Sequence, residues 1–213
     1  MKIAIIGATG FVGSAILNEL ANRNHEITAI ARTPKETPNV KWVAADIFNI
    51  NSLSEILKNN DIVISAYNPG WTNPNIAEDF ITGSKAIQQA VKKSGVKRFI
   101  TIGGGGSLYI APNIQLVDTP DFPKEYYAAA AALREYLNII KEEKDLDWAF
   151  FSPAIEMHQG ITTGRTGKYR LGLDNPVFDE NQRSILSVED LAVVIADEVE
   201  TPKHHQQRFT AAY

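Results

Sequence analysis

Cysteine is absent from this chain of 213 residues. Disulfides, thiol nucleophiles and cysteine-ligated metals are therefore excluded, and a reducing, cytoplasmic setting is the expectation. Positive charge is not in excess: 21 Lys and Arg stand against 25 Asp and Glu, a formal net charge of −4. That balance argues against a nucleic-acid or anionic-membrane partner. No apolar run is long enough to cross a bilayer, and the stretch near the start is cut short by Gly7 and Gly10, too early for a secretory signal core. His204 and His205 read as tail residues, and no histidine has the spacing of a metal site or of a nucleophilic triad. Repeats and linkers are missing too. With 44% hydrophobic residues, the chain can bury a full core as a single domain, 1–213.

What is present is concentrated first in K-I-A-I-I-G-A-T-G-F-V-G at 2–13. Ile3, Ile5 and Ile6 supply a short buried strand, and Val12, Ile16 and Leu20 form one apolar stripe on the helix that follows. Between them lie Gly7, Gly10 and Gly13. The first glycine permits a sharp turn, the second keeps side chains away from an approaching pyrophosphate, and the third lets helix and strand pack closely. The helix start adds unpaired N–H groups and a positive dipole end.

Further along, strands are expected over 26–31, 41–45, 61–66, 96–102 and 147–152. Helices are expected from an Asn51 cap through Leu57, along Ile76, Phe80, Ile87 and Val91 to a stop at Gly95, and along Leu133, Leu137 and Ile140. Such alternation predicts an α/β fold, a doubly wound parallel sheet with helices on both faces. The ends of its first, fourth, fifth and sixth strands share one rim. After Pro153 the pattern loosens into a small C-terminal substrate-side lobe, with 156–186 as the insertion, a strand over 168–171, a Ser187 helix cap and a last strand over 208–212.

These residues resemble the NmrA-like, NAD(P)H-binding group of atypical short-chain dehydrogenase/reductases, and among them the biliverdin-reductase-B-like flavin reductases. The resemblance is carried by G-A-T-G-F-V-G at Gly7, Ala31-Arg32, Ala45-Asp46, G-G-G-G-S-L at Gly103 and D-W-A-F-F-S-P-A at Asp147. G-R-T-G-K-Y-R-L-G at Gly164 and V-E-D-L-A at Val188 extend it over nearly the whole chain. It implies an NAD(P)-binding Rossmann fold, a small-molecule acceptor of flavin or quinone type, or a non-catalytic sensor of the NADP(H) ratio. The oligomeric expectation is a monomer or homodimer.

The implied cofactor set is Gly7, Ala8, Thr9, Gly10, Phe11 and Val12 at the turn, then Arg32, Asp46, Ile47, Ala66, Tyr67, Gly103, Pro153 and Ile155 around the rim. Arg32 stands where NAD-selective sites carry an acid, so NADP(H) is preferred over NAD(H). The alternative is a plain surface arginine. Asp46 reads equally as an adenine contact or a loop cap. The glycines from Gly103 on are either bare main chain for a ligand or a flexible turn.

Conventional members of the superfamily use Tyr-x-x-x-Lys for proton transfer. None of the seven tyrosines here has lysine four residues later. The catalytic candidates are therefore Ser107, as an orienting hydroxyl or a turn serine, Tyr127, as a substrate contact or a packed tyrosine, and His158, as a proton donor or an idle loop residue. Trp71 is a ring-stacking lid or an interface or core residue. Hydride transfer to a flavin or quinone needs mainly stacking and distance, so it tolerates the missing pair. A sugar-nucleotide epimerase is the third reading, disfavoured by the short C-terminal lobe.

Overall fold

The computed structural model describes residues 1–213. The elements follow in order as β1 (Lys2–Ile6), α1 (Phe11–Asn22), β2 (Glu26–Ala31), β3 (Val40–Ala44), α2 (Ile50–Leu57), β4 (Ile62–Ser65), α3 (Ile76–Ser94) and β5 (Arg98–Ile102). Then come β6 (Tyr109–Ala111), β7 (Ile114–Gln115), α4 (Lys124–Lys141), β8 (Asp147–Ser152), β9 (Arg170–Gly172), α5 (Val188–Glu200) and β10 (Gln207–Ala212). Eight strands form one sheet in the order β3-β2-β1-β4-β5-β8-β10-β9. Every pairing in it is parallel except β10 with β9.

Both faces of the sheet are covered, as the near-continuous apolar strands require. On β1, Ile3 and Ile5 point into one core with α1 and α5. Ala4 and Ile6 point into the other with α2, α3 and α4. The strand order reverses between β1 and β4, so the chain leaves the sheet in opposite directions there and opens a crevice at the carboxyl rim. The doubly wound Rossmann-type fold is thus the observed one.

Several local expectations change. The α2 cap is Asn49, not Asn51, because the Asn49 side chain accepts the Ser52 N–H at 3.1 Å. The β6–β7 hairpin was not expected; its strands are too short to show a period. Within the 156–186 segment the strand runs over Arg170–Gly172 rather than 168–171, and it pairs antiparallel with β10 at the edge of the main sheet. His204 is no tail residue: it is buried, its Nδ1 lies 2.7 Å from Glu198, and its ring stacks on Phe209. No helix is long and apolar enough to cross a membrane.

Candidate functional site

At the end of β1 the chain turns through Gly7, whose φ is +80°, a conformation open to glycine and strained for other residues. A Cβ there would also meet the Ala66 carbonyl oxygen at 2.5 Å. At Gly13 an added Cβ would overlap the Gly7 carbonyl oxygen. The first and third glycines therefore let α1 and the end of β4 close on the turn. Gly10 differs: its φ is −75°, and an added Cβ would find only ordinary contact, with the Gly7 oxygen at 3.4 Å. The protein's own packing does not require glycine at 10, so the space above it is available to an outside group.

The turn's hydrogen bonding points the same way. Gly10 N–H donates to Gly7 O and Ser14 N–H to Gly10 O. The N–H groups of Phe11, Val12 and Gly13, between them, have no intramolecular acceptor. Other helix starts are provided for. Asn49 and Ser187 cap α2 and α5, and acidic residues occupy the first turns of α3 and α4. Only α1 has neither a side-chain cap nor an acid in its first turn. Three donors and a positive dipole end are thus left without an intramolecular partner at this turn, the arrangement that receives a pyrophosphate.

Arg32 follows β2 directly, is exposed, and has no ion-pair partner. Asp46 is exposed; its Oδ1 accepts the Phe48 N–H at 3.0 Å, so one of its oxygens serves the loop. Ile47 packs against the α2–α4 core. Ala66 and Tyr67 bring main chain against Gly7. The Tyr67 ring turns away toward α3, stacks on Phe80 and donates its hydroxyl to Asp79 O at 3.1 Å. Burial and the Asp79 charge raise its pKa, with Arg32 acting in the opposite sense.

The glycine run at 103–106 has a structural cause that its sequence does not display. A Cβ at Gly103 would overlap the Phe150 ring, one at Gly104 would press on Leu133, one at Gly105 would meet Pro153 O, and one at Gly106 would crowd Ala130. The run is tightly packed and leads into a 3-10 turn at Gly105–Ser107, which corrects its reading as a flexible turn. Ser107, 1% exposed, is committed to that turn. Its hydroxyl donates to Gly104 O at 3.2 Å, and the buried Arg208 guanidinium donates to its carbonyl at 2.7 Å. The orienting role for Ser107 is corrected accordingly.

Tyr127 is exposed at the start of α4; the packed tyrosine of that helix is Tyr136. His158 is exposed, and its Nδ1 accepts the Gly160 N–H at 3.1 Å. Pro153 is buried against the glycine turn, while Ile155 is exposed. Trp71 is not a core residue: it is 63% exposed and meets Tyr126 edge to face. In the sequence Tyr126 stands out only as a tyrosine with Ala130, not lysine, four residues later; a Tyr-Tyr doublet at a helix start was the available sign of a further role.

The two late motifs find each other. The Asp190 carboxylate of V-E-D-L-A is fully buried and accepts the N–H groups of Thr166 and Gly167 and the Thr166 and Tyr213 hydroxyls. Ser187 donates its hydroxyl to Gly164 O at 2.7 Å. Gly164 and Gly167 both adopt positive φ. Arg165 adds a two-pronged ion pair to Glu19 on α1. Both motifs are therefore joined in a clamp that ties the 156–186 segment to α1 and α5.

A model of the NAD(P)H-binding family matches residues 7–202. The uncharacterized protein YwnB of Bacillus subtilis is 34% identical over 214 residues, covering 99% of this chain and 97% of that protein. A solved structure from Bacteroides thetaiotaomicron, provisionally named an epimerase, is 46% identical with a TM-score of 0.90, over 100% of this chain and 96% of that one. Another, from Streptococcus pneumoniae TIGR4 and provisionally named an NADH-flavin reductase, is 31% identical with a TM-score of 0.87, over 100% of this chain and 99% of that one.

Proposed function

The chain belongs to the NAD(P)H-binding family, and on that premise we propose that it is an oxidoreductase of a flavin, quinone or similar planar acceptor, using NADPH in preference to NADH. The observation that carries the cofactor half is the set of N–H groups at Phe11, Val12 and Gly13 that have no intramolecular acceptor, beside the open face of Gly10. Those donors suit the pyrophosphate, and the exposed, unpaired Arg32 suits a ribose 2′-phosphate, which a guanidinium can hold by two hydrogen bonds.

The acceptor half rests on what the rim lacks. Tyr127 has no lysine partner, Ser107 is spent on its own turn, and His158 is engaged in a loop. Reduction of a simple carbonyl needs a placed proton donor. When bound, the reduced nicotinamide supplies the hydride, and the balancing proton of a reduced flavin or quinone can come from water. The protein's part is to orient both partners, through the Ala66–Tyr67 main chain below and exposed apolar groups such as Ile155 and Trp71 around the rim. The relative named as a flavin reductase agrees with this reading.

A second reading is a non-catalytic NADP(H) sensor, which the lack of a Tyr/Lys pair favours. An epimerase is less well supported, because the 156–186 segment is drawn to the sheet edge and to α1 and α5. We place the protein in the cytoplasm, as a monomer or homodimer. The deciding experiment mixes the protein with NADPH and FMN or menadione and follows loss of reduced-nicotinamide absorbance. Turnover supports the reductase; tight binding without turnover across acceptors supports the sensor.

A further inference from the structure

Trp71 and Tyr126 come from different elements and share one contact. Trp71 lies in the loop between β4 and α3, Tyr126 in the first turn of α4. Their ring centroids are 5.9 Å apart at an interplanar angle of 84°. Tyr126 is 51% exposed. Leaving so much aromatic surface in water forgoes the stabilisation that covering it would give.

The loop that presents the indole is tied down. Asn68 Oδ1 accepts the Gly70 N–H at 2.7 Å, Asn73 Oδ1 accepts the Asn75 N–H at 2.9 Å, and the Asn73 amide donates to Asp79 of α3 at 2.7 Å. Tyr126 shares a helix stripe with Ala130 and Leu133, whose side chains neighbour Gly106 and Gly104. The pair therefore stands beside the turn that ends β5. Trp71 follows shortly after the Tyr67 main chain that abuts Gly7.

We propose that Trp71 is the stacking platform for the acceptor's flat ring, with Tyr126 as the positioning residue that holds the indole from one side. The choice of a planar acceptor rests on the reductase reading above. A third ring does not fit between the two, because two stacking gaps of about 3.5 Å need about 7 Å. An edge-to-face contact occupies at most one indole face and leaves the other free. An electron-rich indole there selects electron-poor fused rings, such as an isoalloxazine or a naphthoquinone, over sugars and aliphatic carbonyls.

The test uses the protein's own fluorescence. Of the three tryptophans, Trp148 is buried and Trp42 half-buried, so Trp71 is the accessible one. FMN and menadione are titrated into the full chain with NADP+ present, with absorption corrected. Saturable quenching is expected. Trp71→Leu should weaken acceptor binding about tenfold, the scale of one lost aromatic stack, and leave the NADPH Kd unchanged. Trp71→Phe should restore most of it. Tyr126→Ala should raise acceptor KM with little change in kcat, and Tyr126→Phe should not. No saturable quenching of the wild type, or an unaltered acceptor Kd in Trp71→Leu, overturns the platform. Quenching without NADPH oxidation removes the reductase reading and leaves the platform standing. Turnover with an unchanged acceptor KM in Trp71→Leu does the reverse.

Discussion

At Gly10 and Gly13 the same substitution should have opposite consequences. Gly13→Ala forces a Cβ into the Gly7 carbonyl oxygen, so it should destabilise the fold by about 1–3 kcal/mol. Gly10→Ala meets only ordinary contact, so urea unfolding should change by less than about 1 kcal/mol. Its NADPH affinity should nonetheless fall at least about tenfold, as expected when one phosphate contact is obstructed. At Arg32, Ala should weaken NADPH about tenfold and NADH far less; equal losses in a calorimetric comparison would remove the 2′-phosphate role. These residues were legible in sequence because each acts through its immediate neighbours. Gly103 to Gly106 were not, since their reasons are Phe150, Leu133, Pro153 and Ala130, far along the chain or across the sheet. For Ser107 the sequence left the orienting hydroxyl and the turn serine level for the same cause: the Arg208 guanidinium that donates to its carbonyl is brought in by β10.

Among the elements, α1 is set apart by what its first turn omits, and that omission was readable: neither Thr9 nor Gly10 caps it, and no acid follows. The α5 helix shows the opposite case, a capping Ser187 that the pattern revealed. Its far end was not legible. There, Glu198 is buried with Arg98 at 2.6 Å and His204 at 2.7 Å, joining α5 to β5 and to the residues before β10. Burial pushes the Glu198 carboxyl up, but hydrogen bonds from the His204 side chain and from the His204 and Lys203 N–H groups outweigh it and hold it below the ordinary range. A lowered folded value means the unfolded chain takes up the proton first. The stabilisation is full above the unfolded pKa of about 4.3 and is lost as pH falls through the folded value. Glu198→Gln should cost about 3–5 kcal/mol at pH 7, and its urea midpoint should fall less than that of the wild type between pH 6 and pH 3.5.

For the whole molecule, the reversal of strand order between β1 and β4 does most to make a site, and the alternation of strand and helix announced it. The edge did not announce itself. β9 closes the sheet as its one antiparallel strand, held where the Asp190 and Glu19 carboxylates accept hydrogen bonds from Thr166 and Arg165 of the segment before it. Because one sheet joins the N-terminal turn to the last strand, a ligand at that turn should stabilise the entire chain. NADPH at about 100 times its Kd should add about 2.7 kcal/mol. That corresponds to a rise in Tm of about 5–10 °C for a chain of this length.

All of this depends on main-chain donors at the start of α1 receiving the two phosphates of a nicotinamide dinucleotide. Isothermal titration calorimetry of NADPH and NADH into the wild-type chain asks that question without any assumption about catalysis. A saturable, one-to-one isotherm is expected, tighter for NADPH and weakened in Gly10→Ala. A flat titration with both nucleotides, from a folded protein, would contradict it.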